Sequence, residues 1–286
     1  MITTSGLKKV VDIRDKGYNH AKRFGSVAPL TLPSKGLGRK PGKIYQQFNT
    51  FFCTAFATAA ASSYQEKLTL SPEWQTAKTG QVDGAPIFTG TDLRSALKSA
   101  ILFGSIPYED SPFTLEKDGE DKVARWQNYP ANLTSNALVH AKQDFYDVKN
   151  GKYDVFDNIR SALYLANEEN GVAIVGTPWY QSFNDPGPKG LVFMPPVGEK
   201  TYLAHAWVIY DFDDDYLYAQ LSSGESLGNK GTLKFDRKTI NYIFRENWTC
   251  AFILRDRKSD PAWRDQAYRI ILGMLWRISN QLKLIA

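Results

Sequence analysis

The alanine-rich run TAFATAAASSYQEKL, which begins at Thr54, sets the first limit on the fold. It contains neither proline nor glycine, and alanine has the highest helix propensity of all residues. Apolar and small side chains surround its first turns on every side, so we expect the helix to be buried. The run therefore predicts a buried helix that starts at or beside Cys53.

Two further helices follow from local signals. In GTDLRSALKSAILFG, Thr91 or Asp92 can cap the helix and Gly104 can end it. The segment YDVFDNIRSALYLANEENG predicts a helix that ends at Gly171. Helices therefore dominate the first half of the chain.

After Gly171 the sequence changes to short runs rich in β-branched and aromatic residues, which favour strands. The predicted strands are GVAIVGTPWYQSF, TYLAHAWVIYDF, DYLYAQL, GTLKFD and WTCAFILRD. Helices first and strands second indicate an α+β protein with a helical N-terminal lobe and an antiparallel β-sheet C-terminal lobe. We expect the functional site in the cleft between the lobes.

Composition excludes several classes of protein. The chain has 286 residues, of which 43% are hydrophobic and 23% charged, as expected for a globular protein with a sizeable core. Its net charge of +5 is mild and its basic residues are scattered, which disfavours nucleic-acid binding. We find no signal peptide and no apolar run of the roughly 18 to 20 residues that a membrane span needs.

Cys53 and Cys250 are the two cysteines of the chain. Two cysteines make neither a disulfide framework nor a zinc site, so we expect no metal and no cofactor. Together with the missing signal peptide, this composition predicts a cytoplasmic protein or a component of a virus particle.

The two ends differ from the middle of the chain. Residues 1–43 form a basic arm broken by glycine and proline, and residues 44–256 form the compact domain. Residues 257–286 place apolar side chains at helical spacing, which predicts an amphipathic helix. The positions are Trp263, Ala267, Ile270, Ile271, Met274, Leu275, Ile278 and Leu282. This helix packs on its own domain, docks on a protein partner or lies at a membrane surface; the broad apolar face favours a protein partner.

Cys53 stands where the predicted central helix begins. The positive end of a helix dipole favours a thiolate over a thiol, so this position suits a nucleophile. The alternative is that Cys53 is a small buried hydrophobic residue, which is common for a single cysteine.

The residues around Cys53 favour the nucleophile. Gln47 stands six positions before Cys53, and Ala55 and Phe56 follow it. This pattern resembles the papain-like cysteine peptidases of bacterial and viral type. Further similarity lies in LPSK from Leu32, LSPE from Leu70 and GTDLRSALKSAILFGSIPYE, so the resemblance spans about residues 30 to 255. It implies a two-lobed fold, an endopeptidase activity and a polypeptide substrate.

The resemblance also assigns a histidine. Of His20, His140 and His205, only His205 opens a strand, HAWVIYD, that is similar to the catalytic histidine strand of the family. The resemblance thus implies Cys53 as nucleophile, His205 as its proton-transfer partner and Gln47 as oxyanion donor. For His20 and His140 we expect surface roles.

Two departures from the family pattern weaken this assignment. The loop before Cys53 is usually glycine-containing, but here Phe51 stands at a glycine position, where a positive φ would be strained. The family's histidine-orienting Asn aligns with Leu221, which cannot bond an imidazole. Gln220 and Ser222 are the neighbouring candidates for a third member, although adjacent strand residues point to opposite faces.

Two functions therefore compete. The first is a cysteine endopeptidase that uses Cys53, His205 and Gln47. The second is a papain-fold protein that has lost efficient catalysis and serves as a structural or binding component of a larger assembly, for example a virus particle. If the protein is an endopeptidase, a basic arm that stays uncleaved and lies in the cleft would inhibit it.

Overall fold

The structure is a computed structural model that describes Leu7 and residues 31–48, 50–84, 90–113, 129, 131–149 and 153–256. His20 and the amphipathic segment 257–286 lie outside the described residues. Most of the arm 1–43 also lies outside them, so the proposed domain boundaries stay predictions.

Six α-helices are described. They are α1 (Cys53–Glu66), α2 (Pro72–Asp83), α3 (Leu93–Phe103), α4 (Ala131–Ala137), α5 (Val155–Leu165) and α6 (Arg237–Ile243). The side chain of Asp92 caps α3 by accepting a hydrogen bond from the Ser95 amide, and Gly104 follows its last residue, both as predicted. Ser71 caps α2 in the same way by accepting from the Trp74 amide.

Seven strands form one sheet. They are β1 (Lys142–Asp147), β2 (Ala173–Trp179), β3 (Leu191–Val192), β4 (Leu203–Phe212), β5 (Tyr216–Gln220), β6 (Thr232–Asp236) and β7 (Cys250–Asp256). Their order is β1-β7-β2-β4-β5-β6-β3, and every neighbouring pair is antiparallel except β3 and β6. The α+β class and the mostly antiparallel sheet are therefore confirmed.

Alternation along β4 separates two apolar clusters. Ala204, Ala206 and Val208 face the first cluster, which contains apolar residues of α1 and α3. Trp207 and Ile209 face the second cluster, which contains α5 and α6. Since the side chains of a strand alternate between its two faces, the position of each residue along β4 decides which of the two clusters it joins.

The segment 31–48 is fixed on the sheet lobe by Asp211. Its carboxylate accepts hydrogen bonds from the amides of Leu37 and Arg39, both at 2.8 Å. The Arg39 guanidinium donates to the carbonyl of Gly171 at 2.6 Å. This part of the chain thereby reaches the helical lobe with Gln47 in a defined position.

Three expectations need correction in detail. The third helix ends at Leu165, and a short 3₁₀ turn over Asn167–Glu169 precedes Gly171. Strand β1 was not predicted, because it is paired with β7, which lies more than a hundred residues away in the sequence. Finally, α6 lies between two predicted strands, where Asp236 caps it by accepting from the Thr239 amide.

Gly36 and Gly38 offer a matched test of how segment 31–48 is held. Both have a positive φ, +71° and +69°, but a Cβ at Gly36 would lie 1.6 Å from the Phe212 carbonyl oxygen, whereas Gly38 has open space around it. Gly38→Ala should lower the free energy of unfolding by about 1 kcal/mol. Gly36→Ala should cost about 1–3 kcal/mol more, because backbone must move. Urea unfolding of both variants measures this difference, and equal losses would contradict the contact.

Candidate active site

Cys53 is the first residue of α1, as predicted, and its side chain has no exposed surface. Phe52 occupies the N-cap position, gives no side-chain cap and is itself buried. The orphan amides at the start of α1 therefore receive no help from Phe52 and stay beside the thiol. This arrangement puts the positive end of the helix dipole at Cys53.

Gln47 lies in the same loop, three percent exposed. Its side-chain nitrogen donates to the carbonyl of Thr50 at 3.2 Å, and its side-chain oxygen accepts from the Ser222 hydroxyl at 2.5 Å. Its backbone amide donates to the Ser222 carbonyl at 2.8 Å. Gln47 therefore joins the two lobes. Its side-chain nitrogen, the predicted oxyanion donor, is hydrogen-bonded within the loop.

The strain in this loop falls on a different phenylalanine from the one we predicted. Phe48 has a φ of 52°, while Phe51 is not among the described residues with positive φ. Both rings are exposed, at 46% and 38%. The loop thus accommodates Phe51 without a left-handed backbone, and the unfavourable conformation lies at the residue directly after Gln47.

His205 lies on β4 opposite Thr177 of β2, and alternation directs it toward the second cluster rather than toward α1. Its ring packs edge-on against Trp179, with 5.4 Å between ring centroids. It has no exposed surface, and neither ring nitrogen has a hydrogen-bond partner among the described residues. Burial lowers the pKa of His205 to about 3, so the imidazole is neutral at neutral pH.

The two candidates for a third member are both engaged elsewhere. Gln220 accepts from the Gly42 amide and the Tyr64 hydroxyl, each at 2.8 Å, and donates to the Lys43 carbonyl. The Ser222 hydroxyl donates to Gln47. Neither orients His205 in this structure, because their side chains instead bind segment 31–48.

Leu221, which the resemblance aligns with the histidine-orienting Asn, is buried in the second cluster. Its apolar side chain gives the imidazole no acceptor. The His205 imidazole instead packs against Trp179 and is fully buried, and this burial is the physical cause of its lowered pKa.

Leu7 covers part of the opposite face of the sheet. It forms an isolated parallel bridge with Thr91 and belongs to the same apolar cluster as Cys53. A Cβ added at Gly176 would lie 3.0 Å from the Leu7 Cδ2 atom and 3.0 Å from the Cys250 Sγ atom. A residue of the arm therefore lies against the sheet near the second cysteine.

Cys250 differs chemically from a catalytic thiol. Burial raises the pKa of Cys250 to about 12, with a further contribution from the Asp147 carboxylate. At neutral pH it is therefore a thiol rather than a thiolate. Cys250 is the natural reference for measurements on Cys53.

His140 has a structural contact that we did not predict. Its Nδ1 atom lies 3.1 Å from the Glu66 carboxylate, and the buried Lys142 ammonium donates to the same carboxylate at 2.7 Å. This cluster ties the end of α1 to β1. Among the described residues, no group of three or more His, Cys, Asp and Glu side chains forms a metal site.

Sequence reasoning proposed Cys53, His205 and Gln47 as site residues but missed the contacts that Leu7, Thr50 and Trp179 make around them. Leu7 and Trp179 are single apolar residues whose contacts come only from the fold. The Thr50 hydroxyl, which donates to the Gln47 carbonyl at 2.6 Å, has a local signal, since threonine often bonds the backbone three residues before it.

Comparison with solved structures shows the fold. Xylellain, a cysteine protease from Xylella fastidiosa, matches with a TM-score of 0.68 and 17% identity, covering 90% of this chain and 98% of that one. Procathepsin L2 from the Tenebrio molitor larval midgut matches with a TM-score of 0.62 and 14% identity, covering 89% and 78%. The proform of the ragweed pollen cysteine protease Amb a 11 gives 0.60 and 15%, covering 91% and 77%.

No family model and no curated protein matches the sequence. The chain therefore has the papain-like peptidase fold. Because the sequence identities are below 20%, these matches show the fold and not the activity. Among the described residues no helix has the length and apolar character to span a membrane.

The neutral, buried state of His205 predicts a specific pH dependence of stability. Because its pKa is about 3 when folded and 6.5 ordinarily, the unfolded chain binds the proton between these values and the folded chain does not. The free energy of unfolding should therefore fall as pH drops below 6.5, by about 2 kcal/mol at pH 5.

Urea unfolding at pH 7.5 and pH 5 measures this contribution. His205→Leu should remove it, whereas the control His140→Gln should retain it. A pH dependence that is unchanged in His205→Leu would show that His205 is not held neutral.

Ser222 and Ser223 test the contact between the lobes. Ser222→Ala leaves the buried Gln47 oxygen without its donor and should cost about 1–3 kcal/mol of stability. The Ser223 hydroxyl has no hydrogen-bond partner among the described residues, so Ser223→Ala should stay within about 0.5 kcal/mol of the parent. Chemical denaturation of both variants gives the comparison, and equal effects would exclude a stabilising role for the Ser222 hydroxyl.

Proposed function

We propose that this protein is a cysteine endopeptidase in which Cys53 is the nucleophile, His205 transfers the proton and Gln47 donates to the oxyanion. The observation that carries the proposal is the placement of a buried thiol at the first residue of α1, with Gln47 in the preceding loop. The supporting comparisons are solved structures of cysteine proteases that match 90% or so of the chain.

The reaction is acyl transfer from a peptide to the thiol and then to water. The Cys53 thiolate attacks the peptide carbonyl, and the oxyanion accepts hydrogen bonds from the Cys53 amide and the Gln47 side chain. The C–N bond breaks as protonated His205 gives its proton to the leaving amine. Water, deprotonated by His205, then hydrolyses the thioester and regenerates the thiol.

The described conformation is the closed, inactive state of such an enzyme. Cys53 and His205 have no exposed surface, and the neutral imidazole cannot form an ion pair with a thiolate. Gln47 donates to Thr50 rather than into an open cleft. Activity requires that Cys53 become exposed and that the His205 imidazole, which faces the second cluster, turn toward Cys53 and gain a more polar environment.

Leu7 supplies a reason for closure. It is a residue of the basic arm and lies in the apolar cluster that contains Cys53, over Gly176 of β2. In this proposal, the contact of Leu7 with the sheet inhibits the enzyme until the arm is displaced. Since burying a leucine side chain contributes roughly 1.5–3 kcal/mol, its removal should shift the closed state by about tenfold to a hundredfold.

A second function is supported by the surroundings of His205. Leu221 replaces the orienting residue, and Gln220 and Ser222 bind other groups. A papain-fold protein without efficient catalysis, acting as a structural or binding component of a larger assembly such as a virus particle, fits these contacts. The protein partner predicted for the C-terminal segment would be another component of that assembly.

Hydrolysis of a fluorogenic peptide library separates the two functions. The full chain, a Leu7→Asp variant and a chain lacking residues 1–30 are compared at neutral pH. We expect Leu7→Asp and the truncated chain to cleave peptides about tenfold or more faster than the full chain. Gln47→Ala in the Leu7→Asp background should lose about 10² to 10³ in kcat.

Three variants complete the experiment. Cys53→Ala and His205→Ala in the Leu7→Asp background should abolish cleavage, while the matched control Cys250→Ala should keep it. Absence of cleavage in all arm-released chains, with the fold intact by circular dichroism, would favour the structural function. Cleavage that survives Cys53→Ala would exclude the proposed nucleophile.

A further inference from the structure

The helical lobe exposes a group of large apolar side chains. We call it the lower patch, and it consists of Leu68, Leu102, Leu138 and Val139, with exposures of 38%, 59%, 45% and 69%. Single exposed apolar residues are ordinary, but a contiguous group of them on one lobe usually marks a binding surface.

Backbone contacts bring these four residues together. The Ser105 amide donates to the Ala137 carbonyl at 3.1 Å, which places the end of α3, with Leu102, against the turn that carries Leu138 and Val139. Gly104 lies so close to the Ala137 carbonyl that no Cβ would fit there. The contact between His140 and Glu66 brings the end of α1, followed by Leu68, to the same turn.

The described chain ends beside this patch. Asp256, the last residue of β7, pairs with Lys142, and Lys142 is three residues after Val139. The Lys142 ammonium binds Glu66, which is two residues before Leu68. The segment that follows Asp256 therefore starts within a few residues' reach of the lower patch.

That segment has the sequence of an apolar-faced helix. Eight apolar side chains recur at helical spacing from Trp263 to Leu282; Arg264, Arg269 and Arg277 stand between them, and Lys283 follows the last. A helix of these 20 residues would be about 30 Å long, which is the dimension of a small lobe.

We propose that residues 257–286 dock on the lower patch of their own chain as an amphipathic helix. Tethering favours this occupant over a free protein partner, because a short linker gives the segment an effective concentration on the order of millimolar. The apolar face of the segment and the lower patch then bury each other, which neither surface achieves alone. This docking is independent of the proposed peptidase activity.

Hydrogen exchange of the full chain, read by mass spectrometry, tests the docking. We expect the amides of residues 263–282 to be protected in a monomeric sample. The double variant Leu102→Glu with Val139→Glu should lose this protection by about tenfold or more, since tenfold corresponds to 1.4 kcal/mol. The matched control Phe193→Glu with Val197→Glu changes two exposed apolar residues of another surface and should retain it.

Exchange in α1 and β4 within the same samples shows that each variant remains folded. Analytical ultracentrifugation and added vesicles of anionic phospholipid identify other occupants. Protection that appears only with dimer formation would assign the patch to a second copy, and protection that appears only with vesicles would assign the segment to a membrane surface; either would overturn the proposal. Protection that is absent, or unchanged in the patch variant, would overturn it as well.

Discussion

The packing of α1 against β4 is the contact on which the rest of the structure depends. Alanines of α1, such as Ala57 and Ala60, meet Ala206 of β4, and small side chains on both elements allow a close approach of helix and sheet. Because α1 begins at Cys53 and β4 contains His205, this one contact sets the thiol and the imidazole on neighbouring elements.

Segment 31–48 adds a second tie between the lobes. It is fixed on the sheet by Asp211 and Gln220, and near its end Gln47 bonds Ser222 through both its backbone and its side chain. The proposed peptidase activity would require some of these contacts to loosen. The ring nitrogens of His205, which have no hydrogen-bond partner in the part of the chain that the structure describes, point to the same requirement, since burying an unpaired polar group is costly.

Much of the fold could be predicted because its signals are local. The alanine run predicted α1, the Asp92 cap and Gly104 predicted α3, and β-branched runs predicted β2, β4, β5, β6 and β7. The polar stretch of β1 has no comparable pattern, and it is a strand because β7 pairs with it. The candidate residues Cys53, His205 and Gln47 came from a resemblance, but their contacts did not. Gln220 binds the backbone 178 residues away, and no local pattern reports such a contact.

The most direct test of the account is the rate of iodoacetamide alkylation of Cys53 from pH 4 to pH 9 in the Leu7→Asp variant, resolved by mass spectrometry with Cys250 as the internal reference thiol. The account predicts that Cys53 is labelled faster than Cys250, that its labelling persists below about pH 6, and that His205→Ala abolishes this low-pH reactivity. Labelling of Cys53 that rises only toward about pH 8.5, and that is the same with or without His205, would contradict it.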